Sequence, residues 1–317
     1  MPRPPDCSTS YFAPRSDRGG AMDDLDTRLL VDLLRDRIRP SKELGQHFLI
    51  DDSVISRSIL LASSKALLGE DSHVIEIGPG PGSLTLALLR AGTSVTAFEI
   101  DEEAVAHLQR VFGDADGRLE VLRADALDID WPADATHVVA NLPYQISSPA
   151  IERIQRHHAA HSLASIVLLV QNEFAERMAI GRDASAPSPL ALSLWLDFDV
   201  ELDIKVSPHS FSPSPRVTSR LVSLKPVDRA QGVDRRMFRI ITQHCFANRR
   251  RKMRTLLSRA PSRLSRIRGW HKKRWAEAVK SIGHPTPEAL PEGWMELRPE
   301  NLQTSHWVAI VEAISSE

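Results

Sequence analysis

The chain has 317 residues, 42% of them apolar and 26% charged, with a formal net charge of −1. That is enough to bury a large core in one domain or two. Its longest aliphatic run, Ile166 to Val170, is too short to span a bilayer. Its two cysteines, Cys7 and Cys245, form no C-x-x-C pair, which argues against a disulfide framework or cysteine metal site and for a reducing compartment.

Residues 1–40 read as an N-terminal extension, partly disordered, ending in a short helix. Met1 to Gly20 is rich in Pro, Ser and Arg and has little to bury. It lacks the apolar stretch of a secretory signal; Asp6 and Asp17 count against a mitochondrial transit peptide, and Met22 is an alternative start.

A β–α alternation begins at Ser72. Strands are expected at His73 to Ile77, Val95 to Glu99, Leu119 to Leu122, His137 to Ala140 and Ile166 to Gln171. Helices are expected at Gly82 to Arg90, Glu102 to Val111 and Glu173 to Met178. Two later β-rich stretches, Val200 to Val206 and Val217 to Leu224, fit an antiparallel pair closing the sheet. The alternation predicts a parallel, doubly wound α/β sheet.

Four features fall at the ends of successive strands. Gly78, Gly80 and Gly82 form a turn that lets backbone amides approach a ligand, with Ser83 where a dinucleotide fingerprint would carry its third glycine. Glu99, 21 residues beyond Gly78, can accept both ribose hydroxyls of an adenosine. Asp125 can receive an adenine amino group, although either carboxylate could instead be a surface or capping acid. Asn141-Leu142-Pro143-Tyr144 joins an amide, a rigid proline and an aromatic, a cradle for a planar base bearing an amino group; a plain Pro turn is the alternative. Jointly the four describe an adenosine site beside a second pocket.

After Lys225-Pro226 the chain turns basic and helical, placing a boundary near Val227. Between Arg235 and Lys280 there are 16 Lys/Arg against one acidic residue, Glu277. Phe238, Ile241 and Cys245, and then Met253, Leu256 and Leu257, recur at helical spacing. A segment this basic on an otherwise acidic chain points to a phosphate-backbone partner. A solvated helix face or an anionic membrane contact is the competing reading.

These residues resemble the ribosomal RNA adenine dimethyltransferases over about Ser41 to Leu257. The landmarks are Leu44-Gly45-Gln46-His47-Phe48-Leu49, Glu76-Ile77-Gly78-Pro79-Gly80, Phe98-Glu99-Ile100-Asp101, Ala124-Asp125-Ala126-Leu127 and Asn141 to Tyr144. They continue through Val170 to Met178, Phe211 to Ser219 and the basic Phe246 to Leu257. Gly-Gln-His-Phe-Leu-Ile-Asp and Asn-Leu-Pro-Tyr-Gln-Ile-Ser-Ser-Pro look closest to the archaeal and eukaryotic small-subunit branch.

The resemblance implies a Rossmann-like class I methyltransferase sheet of seven strands over 41–226 and a smaller basic helical RNA-binding domain over 227–317. It implies S-adenosylmethionine as methyl donor and adenosines near the 3′ end of small-subunit rRNA, in a pre-30S-type particle, as target. It also implies a cytoplasmic monomer that engages no membrane and uses no metal. Gln46, His47 and Leu49 would close over the methionine part of the donor, with Gly78 and Gly80 approaching it from the turn. Glu99 and Ile100 would hold the ribose side, and Asp125 and Ala126 the adenine. Asn141, Leu142, Pro143 and Tyr144 would grip the target adenine, with Asn141 also reaching the donor, and Phe211 would cover the adenine's opposite face, while Arg249, Arg250, Arg251, Lys252 and Arg254 would hold RNA.

His47 departs from the asparagine common in bacterial members, and the loop Gly181 to Pro189 lacks their Tyr-Gly. Three alternatives stay open: an NAD-dependent oxidoreductase, a large-subunit methyltransferase of the macrolide-resistance type, and a non-catalytic assembly or organellar transcription factor.

Overall fold

The computed structural model describes residues 22, 24–37, 46–64, 66–180, 187–229, 232–283 and 287–316. The expected disorder of Met1 to Gly20, the landmarks Leu44 and Gly45, and most of the 181–189 loop lie outside the described residues. The N-terminal helix, α1 (Thr27–Arg35), starts at Asp26, whose side chain accepts from the Leu29 N–H. A two-residue strand, β1 (Phe48–Leu49), and α2 (Asp52–Ser63) follow.

The strands and helices of the alternation are β2 (His73–Ile77), α3 (Ser83–Arg90), β3 (Ser94–Glu99), α4 (Glu102–Phe112), β4 (Leu119–Arg123) and β5 (His137–Asn141). They continue with α5 (Ser147–Ala160), β6 (Ser165–Gln171), α6 (Asn172–Met178), α7 (Pro189–Asp197), β7 (Phe198–Val206), β8 (Phe211–Ser212) and β9 (Ser219–Pro226). Val74, Ile75, Val138, Ile166, Leu168 and Val170 are fully buried, as expected for parallel strands covered on both faces. The seven-stranded sheet has the order β4-β3-β2-β5-β6-β9-β7, with β9 antiparallel to both β6 and β7.

Strand order reverses between β2 and β5, so the first βα turn and the end of β5 face one crevice at the carboxyl edge. The expected strands are present within a residue or two. What the periodicity did not predict are α2, α5, α7 and the antiparallel pair β1·β8, in which Phe48 faces Ser212 and Leu49 faces Phe211. Two residues per strand carry no period to detect.

Beyond β9 lie α8 (Arg235–Phe246), α9 (Met253–Leu257), α10 (Lys272–Ser281) and α11 (Thr304–Ser315). The expected face of Phe238, Ile241, Cys245, Met253, Leu256 and Leu257 is buried, joined by Trp275, Trp294 and Trp307. Leu192 and Leu196 of α7 belong to this same core, so the helical part is rooted in the sheet layer. Buried Asp197 reinforces the junction: it accepts from Arg235 of α8 at 2.7 Å and from Gln155 of α5 at 3.0 Å.

Candidate active site

The crevice is a cleft open to solvent. All the residues expected to bind donor or target line it: Gln46, His47, Leu49, Gly78, Gly80, Glu99, Ile100, Asp125, Ala126, Asn141, Leu142, Pro143, Tyr144 and Phe211. They come from the ends of β2, β3, β4 and β5 and from the β1·β8 pair, so more than 160 positions of chain converge on it.

The floor is the glycine turn. Gly78 and Gly80 have φ of +67° and +54°, the left-handed region that side chains rarely adopt. A Cβ on Gly78 would stand 3.5 Å from the Pro143 ring, and one on Gly80 would stand 3.2 Å from the Phe48 ring. Gly82 serves packing instead: a Cβ there would fall 2.5 Å from the Phe112 ring, so its lack of a side chain lets α3 lie close against α4.

Glu99 ends β3 with its carboxylate held by three backbone amides. Oε1 accepts from Ile100 at 2.9 Å and Asp101 at 3.0 Å, and Oε2 accepts from Gly80 at 3.2 Å. Burial pushes its pKa above the usual carboxylate range, against these hydrogen bonds. Asp101 caps α4 through the Glu103 N–H and accepts from Gln46 Nε2 at 2.9 Å, which fixes one end of the β1 segment. Beneath the turn, Glu76 is 1% exposed and accepts from Thr85 Oγ1 at 2.7 Å. Desolvation pushes its pKa up to about 8.

On the other side, Asn141 ends β5, and no described residue hydrogen-bonds its side-chain amide. Tyr144 is half-buried; its hydroxyl pairs with Ser219 Oγ at 2.6 Å and burial raises its pKa. His47 stacks on Tyr144 with ring centroids 5.9 Å apart and planes at 27°, while its Nδ1–H donates to the Pro213 carbonyl at 2.8 Å. That bridge joins the β1 segment to the β8 loop. Phe211 is 6% exposed and packs into the hydrophobic core beside Leu49, so it is as much a support of the β1·β8 cover as a wall.

The cleft has features of a sulfonium nucleoside site. The acids Glu99 and Asp125 share its wall with half-exposed Ile100 and with Ala126. Ser83, on the cleft wall at the start of α3, has a buried Oγ without a hydrogen-bond partner. A helix N-terminus with a spare hydroxyl suits a carboxylate. Sequence reasoning treated Ser83 only as a departure from a glycine pattern and did not assign Phe48 or Ser83 to the site.

The five expected RNA-binding cations are exposed on the loop after α8 and on α9, but they are not equivalent. Lys252 and Arg254 share Glu296, at 2.8 and 3.2 Å, whereas Arg249, Arg250 and Arg251 make no ion pair among the described residues. Among the described residues, no cluster of metal-ligating side chains occurs and no helix is long and apolar enough to cross a membrane.

The chain matches the family model for ribosomal RNA adenine dimethylase over residues 37–268. It is 34% identical over 281 residues to a probable ribosomal RNA small subunit methyltransferase A of Methanopyrus kandleri, covering 88% of this chain and 94% of that one. A ribosomal RNA small subunit methyltransferase A of Rhodopseudomonas palustris is 36% identical over 251 residues, 76% of this chain and 86% of its own. Among solved structures, a dimethyladenosine transferase from Plasmodium falciparum superposes with a TM-score of 0.69 at 24% identity, over 84% of this chain and 97% of that one. The 23S rRNA methyltransferase ErmE gives 0.59 at 23% identity, over 84% and 99%. These two likenesses establish the shared fold.

Proposed function

Because the chain belongs to the ribosomal RNA adenine dimethylase family, we propose that it dimethylates N6 of adenosines near the 3′ end of small-subunit rRNA, with S-adenosylmethionine as donor. The observation that carries the reading is the convergence of Glu99, Asp125, Asn141 and Tyr144 on one cleft. Two acids suited to an adenosine share this cleft with an unengaged amide and an anchored ring. The oxidoreductase alternative leaves Asn141 to Tyr144 and the basic segment without a role.

When bound, S-adenosylmethionine supplies an electrophilic methyl group. Ser83 and the α3 N-terminus would receive its carboxylate, Glu99 its ribose hydroxyls and Asp125 its adenine amino group. The target adenine amino nitrogen is a weak nucleophile because its lone pair delocalises into the ring. Hydrogen bonds from that NH2 to Asn141 Oδ1 and the Leu142 carbonyl favour a more pyramidal nitrogen and aim its lone pair, so positioning supplies much of the rate. The proton released on methylation goes to water, and no side chain needs to act as a strong base.

Reaching the nitrogen requires an unstacked adenine, which costs on the order of a few kcal/mol. Stacking on Tyr144, held by Ser219 and His47, returns about 1–3 kcal/mol, and Phe211 lines the same cleft. We assign residues 41–226 to methyl transfer and 227–317 to RNA, with the exposed cations gripping folded RNA by phosphate and shape. The reading places the protein in ribosome biogenesis, acting as a monomer in the cytoplasm on a pre-30S-type particle.

The test is transfer of labelled methyl to small-subunit particles lacking the modification, followed by mapping of the product. Dimethyladenosine near the 3′ end supports the assignment. Label confined to large-subunit rRNA would move the protein to the macrolide-resistance type, and donor binding without transfer to either would indicate a non-catalytic role.

A further inference from the structure

The helix α1 lies outside the stretch matched by the family model, yet it is docked where the donor cleft closes. Val31 and Leu34 are buried in one cluster with Phe48 and Ala104, and Leu30 is buried in the cluster that holds Leu49 and Phe211. Phe48 and Leu49 are the whole of β1, and both line the cleft. The Phe48 ring stands directly over Gly80 of the donor-side turn.

Polar contacts reach the same parts. Arg35 donates to Ser212 Oγ of β8 at 3.1 Å. Thr27 Oγ1 donates to Asp52, at the start of α2 just past β1. From the far end of α3, Arg90 donates to the carbonyls of Met22 at 2.7 Å and Leu25 at 2.9 Å. Together with the residues that lead into it, the helix therefore touches both strands of the cover, the start of α2 and the far end of α3.

A ladder of two residues per strand is not stable by itself. Among the described residues, the β1·β8 cover rests beyond its own pairing on core contacts, the Gln46–Asp101 and Ser210–Asp51 hydrogen bonds, the His47 bridge and α1. We propose that α1 is a positioning element that holds the β1·β8 cover closed over the donor side of the cleft, with Leu34 as its apolar anchor and Arg35 as its tether to β8. The inference rests on the assignment of this cleft to S-adenosylmethionine. Opening of the cover lowers the fraction of molecules competent to bind, and apparent affinity falls in proportion.

The experiment compares full-length wild type with Leu34→Ala, Arg35→Ala and Arg35→Lys. It reads amide hydrogen exchange without ligand and S-adenosylmethionine affinity by calorimetry. Leu34→Ala should speed exchange at Ile50, whose N–H donates to the Ser210 carbonyl at 2.9 Å, by about fivefold or more, with amides of β2 and β6 unchanged. Because affinity falls with the fraction of molecules that stay closed, donor binding should weaken by at most that factor, and turnover at saturating donor should stay within about twofold.

Arg35 is exposed, so Arg35→Ala tests the tether without risk to the core. It should speed exchange by about twofold and weaken affinity by at most that factor, and Arg35→Lys, which can still reach Ser212, should restore both. Exchange near Ile50 unchanged in both Ala variants overturns the proposal, as does acceleration spread evenly over β2 and β6, or donor binding weakened by far more than exchange is accelerated. If wild type binds no S-adenosylmethionine, the functional assignment fails, and the exchange data alone still decide whether α1 holds the cover.

Discussion

Inside the protein, beneath the glycine turn, Thr85 Oγ1 donates a 2.7 Å hydrogen bond to Glu76 Oε2, tying the first helix of the sheet domain to its first strand. The acid is almost fully enclosed, and desolvation, reinforced by the nearby Glu99, pushes its pKa up to about 8. The folded state thus binds a proton that the unfolded chain releases near pH 4.5. This contribution is fully present below about pH 4.5 and is lost as pH rises toward 8. Glu76→Gln keeps an acceptor for Thr85 and removes the titration. It should raise thermal stability above pH 6, by about 1–3 kcal/mol near pH 8, and flatten the pH dependence. Melting curves of both proteins from pH 5 to 9 check this; parallel curves would show that Glu76 does not titrate in this range.

Gly80 and Gly82 separate function from packing. In Gly82→Ala the new methyl meets the Phe112 ring at 2.5 Å with φ at +90°, which should cost about 2–4 kcal/mol. In Gly80→Ala the methyl stands 3.2 Å from Phe48, a member of the cover. It should weaken S-adenosylmethionine binding about tenfold or more while costing only about 1–2 kcal/mol. Paired denaturation and donor titrations should therefore rank the two variants in opposite orders.

Asn141→Ala leaves the strand end and Glu99 untouched. It should keep donor affinity within about threefold and reduce methyl transfer by about 10²–10³. Glu99→Gln should do the reverse, weakening donor binding with a smaller effect on turnover at saturation. Donor calorimetry and single-turnover transfer separate the two; wild-type turnover by Asn141→Ala would remove the amide from the reaction.

Glu296 sets two of the five basic residues apart, and the Lys252 hydrogen bond holds its carboxyl below the usual range. Reversing Arg249 and Arg251 to Glu should weaken RNA binding at least about tenfold and lower the salt slope by about 2, with donor affinity intact. Glu296→Gln releases Lys252 and Arg254. It should tighten RNA binding by about two- to fivefold and steepen the salt dependence. Filter binding across a salt series reads both variants.

The alternation of apolar runs and helical spacing was enough to predict the parallel sheet, its antiparallel closure and the basic helical tail. Those signals are local: a buried strand must be apolar along its length, and a helix facing a core must repeat near every third or fourth residue. The strand-end positions of Gly78, Glu99, Asp125 and Asn141 were legible for the same reason, since each directly follows such a run.

What depended on folding is every relation between distant segments. The β1·β8 cover joins Leu49 to Phe211, the Ser83 hydroxyl is left spare in a cleft wall, and Glu296 neutralises cations more than 40 residues away. No one of these partners carries a mark of the other in its own neighbourhood. Distances between side chains far apart in sequence are set by how helices and strands pack, not by the residues beside them. Composition and spacing therefore decided which chemistry this chain can attempt, and tertiary packing decided which of its groups stand free to carry it out.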